Sequence, residues 1–312
     1  MISFGPIPSR RLGKSLGINN ISSAKKCSYS CIYCQVGITR KLSITRVNFF
    51  EPDVIFAEVQ KHLNTLQEAD KPDYLTFVAN GEPTLDANLG KSIEKLKTFQ
   101  IPIAVITNAS LLNQKLVRDD LRLADWVSVK VDANNEDIWR AINRPFGSLD
   151  FKAHVEGLLN FSTEYKGKLV TETMLVQGIN DSTATLKKTA SLITQLKPSI
   201  AYIAIPTRPP ALSWVEAPDE TVINKAYQIF TEEGLNTELI LGFEGTNTGF
   251  TGNAMEDIIN ISTVHPIRED TMLELLRKNN ADPTILTTLL QGKYIQQIKY
   301  GLNTFYIRKF HS

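Results

Sequence analysis

Residues 16–34, LGINNISSAKKCSYSCIYC, run a short strand-forming stretch straight into Cys27, Cys31 and Cys34, and the chain has no other cysteine. Three thiols within eight positions cannot pair off as disulfides without leaving one over, and pairs so close in sequence make poor staples. A tetrahedral zinc site needs a fourth ligand, and residues 20–50 contain no His or Asp. On one tight loop, thiolates at C-x3-C-x2-C spacing grip three corners of a cubane iron–sulfur cluster and leave the fourth iron open. An open iron can take a substrate or cofactor. That points to catalysis rather than electron storage.

The stretch before the loop, Leu16–Ile21, is the first of a series of strand-like runs. Tyr74–Val78, Pro102–Thr107, Trp126–Val131, Leu169–Val176 and Ile200–Ile205 are short and rich in Val, Ile, Thr and Leu, as strands buried on both faces are. Amphipathic stretches at about 53–68, 89–99, 111–123 and 183–196 alternate with them, the pattern of a parallel α/β sheet. Six βα units predict an α/β fold of the partial (β/α)6, TIM-like barrel type, in which chemistry collects at the C-terminal strand ends. The cysteine loop, Asn80-Gly81-Glu82-Pro83, Thr107-Asn108 and Asp132-Ala133-Asn134 all fall just past predicted strand ends.

A helix at 219–234 and a strand at Thr237–Leu241 close the predicted core, residues 1–242. Residues 243–265 read as a glycine-rich loop and linker; the loop is a surface connection or a lid. Residues 266–312 read as a separate module. A helix at Glu269–Lys278 is followed by one that starts after Asp282-Pro283 and closes near Gly292. Strands Tyr294–Lys299 and Thr304–Phe310 then flank the turn Tyr300-Gly301-Leu302-Asn303. Helix, helix, hairpin is the outline of a small winged-helix domain.

The 312 residues are 42% hydrophobic and 21% charged, which excludes global disorder. The net charge of +1 hides an asymmetry. Residues 1–50 carry eight basic side chains and no acid, residues 293–312 carry four and none, and the stretch between has 22 basic against 33 acidic. Such segregation predicts an anionic ligand or polyanion near the two ends. The start, MISFGPIPSRR, has no apolar signal core and no apolar run is of membrane-spanning length, so a cytoplasmic protein with no membrane partner is expected. No Ser-His-Asp set, Walker loop or dinucleotide glycine fingerprint appears. His62, His154 and His311 belong to no constellation, and His265, before Pro266, is expected to pack rather than ligate.

The cysteine run, with aromatic Tyr33 immediately before the last cysteine, resembles the cluster motif of radical S-adenosylmethionine (radical SAM) enzymes over about residues 10–210. FGPIPSRRLGKSLGINN (4–20) and PTRPPALSWVEAP (206–218) look like the branch grouped with tRNA wyosine synthases. The resemblance implies one 4Fe–4S cluster held by Cys27, Cys31 and Cys34. It implies S-adenosylmethionine chelating the open iron, and an external flavodoxin- or ferredoxin-like electron donor. Reductive cleavage of the sulfonium would yield a 5′-deoxyadenosyl radical that takes hydrogen from substrate, the cofactor carrying the hard chemistry.

Tyr33, Gly81, Glu82, Asn108, Lys130, Asp132 and Thr173 are the cofactor-binding residues so implied. Gly81-Glu82-Pro83 matches the family's Gly-Glu segment, where Glu82 receives the ammonium of S-adenosylmethionine and Gly81 allows close backbone approach. Asn80 stands where the family has glycine. Thr107-Asn108 resembles its strand-end Thr-Asn, and Lys130 and Asp132 fall where relatives contact ribose or the methionine carboxylate. Glu172 lies beside Thr173 on the fifth predicted strand. Arg208 either binds an anionic substrate or makes a structural ion pair.

Wyosine synthases of this branch bind a second cluster through further cysteines, as the resemblance has it, and this chain has none; a literal wyosine synthase is therefore not expected, nor a cobalamin domain. What is expected is a single-cluster enzyme modifying tRNA or another RNA. The rival is a peptide or protein substrate, glycyl-radical activation included. From another class comes an Fe–S redox-sensing, DNA-binding regulator. That reading leaves the Gly-Glu turn unexplained, and a sensor would not produce 5′-deoxyadenosine.

Overall fold

The computed structural model describes residues 2–21, 25–242 and 245–309. One sheet contains, in chain order, β1 (Ser3–Ser9), β2 (Gly13–Ile18), β3 (Tyr74–Phe77), β4 (Ile103–Thr107), β5 (Trp126–Lys130), β6 (Lys168–Met174), β7 (Ile200–Ala204) and β8 (Thr237–Ile240). β1 is antiparallel to β2, and every later neighbour is parallel. β1 and β8 do not pair, so the sheet is an open, curled half-barrel. Its outer face carries α1 (Pro52–Thr65), α2 (Leu89–Leu96), α3 (Lys115–Leu121), α4 (Glu136–Asn143), α5 (Phe151–Glu164), α6 (Thr183–Leu196) and α7 (Glu220–Glu232).

The expected partial barrel is present, with four differences. The strand at Thr237–Ile240 joins the parallel series as a seventh member. β1 carries Pro6 and Pro8, which remove ladder donors and mask the strand pattern; such residues are tolerated because β1 is an edge. β2 ends at Ile18 rather than Ile21, because the Asn19 side chain accepts from the Ile21 and Asn80 N–H groups and turns the chain out of the ladder. Helices α4 and α5, beyond those that the periodicity marks, fill the connection between β5 and β6.

Strand residues alternate between two apolar environments. Phe77, Val105 and Val129 pack outward with Ile55, Ile93 and Leu121 of the helix layer. Ala104, Trp126, Val170 and Tyr202 point inward and form an apolar floor. Two residues further along β5 and β6, the inward positions become Ser128 and Glu172 and, at the end of β5, Lys130. Polarity therefore rises toward the C-terminal strand ends.

The C-terminal elements are α8 (Ala254–Val264), β9 (Ile267–Arg268), α9 (Glu269–Lys278), α10 (Thr284–Gln291), β10 (Ile295–Tyr300) and β11 (Asn303–Arg308). β10, β11 and β9 form a second small sheet in that order. Two helices and a hairpin thus follow in the expected sequence. The expected linker contains α8, started by the Asn253 side chain, which accepts from the Glu256 N–H at 3.2 Å, and buried through Ile258 and Ile261. Phe4 and Ile7 of β1 share one core with Ile258, Met272 and Leu275, so the module grows out of the barrel edge. Phe243 and Glu244 of the candidate lid, like Phe310, His311 and Ser312 of the tail, lie outside the described residues. The described part of the lid is tied down: Lys278 donates to the Thr248 carbonyl at 2.8 Å and Thr251 N–H to Asp257 at 2.9 Å. Among the described residues no helix is long and apolar enough to cross a membrane.

Candidate active site

Above the floor lies a cavity of about 300 Å³, lined by Cys27, Tyr33, Cys34, Gly81, Lys130 and Glu172, with Arg10, Arg11, Lys25 and Arg208 completing a basic wall and His265 beside Arg208. Its volume is at the lower end of small-molecule sites.

The cysteine loop is held from several sides. Ser30 and Ile32 N–H groups donate to the Asn143 and Ile142 carbonyls at 3.1 and 3.0 Å, and Phe146 N–H donates to the Ser28 carbonyl at 2.8 Å. The Trp139 indole N–H reaches the Tyr29 hydroxyl at 3.0 Å. Helix α4, capped by Asn135 and not among the helices expected above, is therefore a support of the loop. Each sulfur receives a side-chain N–H: Asn108 Nδ2 lies 3.5 Å from Cys27 Sγ, Asn143 Nδ2 3.5 Å from Cys31 Sγ, and Lys25 Nζ 3.1 Å from Cys34 Sγ.

Burial pushes the Cys27 thiol far up and that of Cys31 up to about 12. The protein alone does not stabilise thiolates there; a bound cationic centre would. Burial also works against the Lys25 ammonium, but the Cys34, Cys27 and Cys31 sulfurs outweigh it and hold its pKa above the ordinary value. Among the described residues no three His, Cys, Asp or Glu side chains converge tightly enough for a single metal ion. A cubane is wider than an ion, and a donor set of three thiols, each met by an N–H, fits a cluster better than zinc.

Glu82 is buried, and its carboxylate is already engaged. Oε1 accepts from Thr84 N–H, Thr84 hydroxyl and Thr107 hydroxyl at 3.1, 2.7 and 2.6 Å, and Oε2 accepts from Asn108 N–H at 2.7 Å. Burial raises its pKa, and these hydrogen bonds oppose the rise. Gly81 lines the cavity, yet the close approach it permits is made by the chain itself. A β-carbon there would run into the Lys26 carbonyl, which also accepts from Glu82 N–H at 2.9 Å.

Lys130 and Glu172 are directly paired positions of β5 and β6, and their side chains form an ion pair that Arg11 joins from the β1–β2 connection. Lys130 Nζ also sits 5.4 Å from the Tyr33 ring centre. Burial lowers the Lys130 pKa and Asp132 opposes that. Asp132 lies behind Tyr33: it accepts from the Tyr33 hydroxyl, from Asn143 Nδ2 at 2.8 Å and from Met174 N–H at 2.8 Å. Thr173 faces away from the cavity, with its hydroxyl on the Val131 carbonyl at 2.8 Å. Arg208 reaches Gln35 Oε1 at 2.9 Å and His265 Nε2 at 3.0 Å, which ties the cysteine loop to the end of α8.

The structure thus brings Tyr33, Gly81, Lys130 and two of the cysteines to the cavity wall. Glu82, Asn108 and Asp132 stand as supports behind it. Sequence reasoning missed Lys25, Arg11 and Asn143. Lys25, two residues before the first cysteine, was open to notice; Asn143 carries no sequence signal, because only the return of α4 brings it to the loop.

The family profile described as Radical SAM superfamily matches residues 21–190. The chain is 45% identical over 313 residues to the UPF0026 protein MJ1312 of Methanocaldococcus jannaschii, covering 100% of this chain and 97% of that protein. It is 26% identical over 230 residues to the dual-specificity RNA methyltransferase RlmN of Lawsonia intracellularis, covering 70% of this chain and 62% of that one. Among solved structures, TYW1 with a lysine–pyruvate adduct bound shares the fold at TM-score 0.55 and 20% identity, over 71% of this chain and 75% of that one.

Proposed function

Since the chain belongs to the radical SAM superfamily, whose enzymes use a 4Fe–4S cluster and S-adenosylmethionine, we propose that it is a single-cluster enzyme that modifies RNA. Cys27, Cys31 and Cys34 hold the cluster, and the cavity beside them holds S-adenosylmethionine. When bound, the two supply a one-electron reductive cleavage whose product removes hydrogen from substrate.

The chain's own residues bind, orient and exclude water. The Gly81–Glu82 turn, braced from behind by Thr84, Thr107 and Asn108, presents its edge to the ammonium of S-adenosylmethionine. Lys130, Glu172 and Arg11 form the polar wall that orients the rest of the molecule. Trp126 and Tyr202 keep the floor dry, which strengthens every charge interaction above it. Among the described residues that line the cavity, Arg10, Arg11, Lys25 and Arg208 stand against one acid, Glu172, a lining that favours an anionic substrate. That lining, at the mouth of the cysteine loop, is the observation that carries the RNA reading.

Anaerobic reconstitution should give four irons per chain and release of 5′-deoxyadenosine under reduction, both lost in Cys31→Ala. Two clusters per chain, or cleavage that survives Cys31→Ala, would overturn the single-cluster assignment. Mass spectrometry of cells lacking the protein should show a missing RNA modification. Intact RNA beside an altered peptide or protein would move the substrate to that class.

A further inference from the structure

We propose that Lys25, Asn108 and Asn143 set the reduction potential of the cluster, each by donating one N–H to one cysteine sulfur, with Lys25 the strongest of the three. This rests on the cluster assignment above and adds to it a function for three residues outside the cysteine motif.

The arrangement is not a local accident of the loop. Lys25 precedes the loop, Asn108 follows β4, and Asn143 ends α4, yet each of the three sulfurs has one of them as a donor. The two amides are anchored by second partners: Asn108 Nδ2 donates to Ser28 Oγ at 2.9 Å, and Asn143 Nδ2 to Asp132 Oδ2 at 2.8 Å. Lys25 is anchored by the Gly37 carbonyl. Their directions are therefore held by the fold.

Adding one electron to an iron–sulfur cluster raises the electron density that its thiolate ligands share, and an N–H aimed at sulfur stabilises the more negative state. Donation from an ionised group is roughly twice as strong as from a neutral one. Lys25 is the only charged donor among the three and the nearest, at 3.1 Å against 3.5 Å for each amide. It is also partly shielded from water, so its charge is less screened than a surface lysine's. All three donors act in one direction, making the cluster easier to reduce.

The test is a redox titration of the anaerobically reconstituted full chain, followed by electron paramagnetic resonance, with iron content measured on the same samples. Lys25→Met should keep its iron and shift the reduction equilibrium about tenfold toward the oxidised form, ~59 mV more negative for one electron. Lys25→Arg, which keeps the charge, should recover most of that shift. Asn143→Ala should move the potential the same way by less, and it carries the test alone if Lys25→Met holds no cluster. Full iron with unchanged potentials in both variants would overturn the inference and leave the cluster assignment standing. Failure of the unmodified chain to bind a cluster would overturn both.

Discussion

Glu82 is a buried carboxylate whose hydrogen-bond donors come from two separate strand ends. Its position after β3 was legible from Gly81-Glu82-Pro83. The four donors it satisfies were not, because Thr107 and Asn108 reach it only when β4 lies beside β3. Glu82→Ala should therefore cost about 3 kcal/mol of stability, because it strands buried donors, as well as weakening cofactor binding. Glu82→Gln keeps the shape. It should weaken S-adenosylmethionine binding by roughly ten- to hundredfold, or 1.5–3 kcal/mol, with a smaller stability loss. Chemical denaturation and equilibrium binding on both variants separate the two effects, and unchanged affinity in Glu82→Gln would remove Glu82 from the cofactor site. His154 offers a second residue-scale test. It stacks on Trp139 with ring centres 5.6 Å apart, and burial lowers its pKa to about 4 against 6.5. The unfolded chain then binds the extra proton first, so stability is full above pH 6.5 and lost as pH falls toward 4, by up to roughly 3 kcal/mol. His154→Phe should flatten that part of the stability–pH curve; an unchanged slope would show that the imidazole is not held neutral.

At the scale of elements, the site is a junction of loops rather than a property of one. The cysteine loop leans on the C-terminal end of α4, and the turn after β3 presses its Gly81 against the Lys26 carbonyl. Gly81→Ala should separate the two loops, costing about 3 kcal/mol and reducing iron incorporation, because backbone rather than a flexible side chain must yield. Near-normal iron and stability would mean that the contact gives way cheaply. The parallel strands were legible because their apolar runs are short and continuous. The edge strand β1 was not, since its two prolines erase the alternation that marks a strand. Helix α8 did carry signals, Asn253 as a cap and Ile258 and Ile261 three apart, but glycines just before it make the stretch resemble a linker.

For the whole molecule, the terminal module is joined to the barrel by a shared core of Phe4, Ile7, Ile258, Met272 and Leu275. Removing residues 266–312 would uncover that core, so truncation is a poor probe of RNA binding, and charge removal is a better one. Lys293, Lys299 and Lys309 are exposed, whereas Arg308 is half-buried against the Tyr294 ring, 5.6 Å from its centre. Phe305 is buried, and Tyr300 donates its hydroxyl to the Pro206 carbonyl at 3.1 Å, so neither is free to stack on a base. If the module meets an RNA backbone, replacing the three exposed lysines with glutamine should lower the salt dependence of tRNA binding by about 1 per residue, read as the slope of log affinity against log salt. A slope that does not change would place any RNA contact elsewhere, at the cavity mouth.

Sequence by itself determined the half-barrel, the position of the three cysteines at a strand end, and the Gly-Glu turn that faces them. Those features rest on local spacing and on short, continuous apolar runs, which neighbouring residues carry without help. Only the tertiary structure decided which groups stand around the sulfurs and the cavity. Asn143 lies 112 residues from Cys31, and Gln35 meets an arginine 173 residues away. Likewise Lys130 and Glu172 meet because β5 and β6 pair in register. Such pairings follow from how helices and strands pack across the chain, and no local pattern records them.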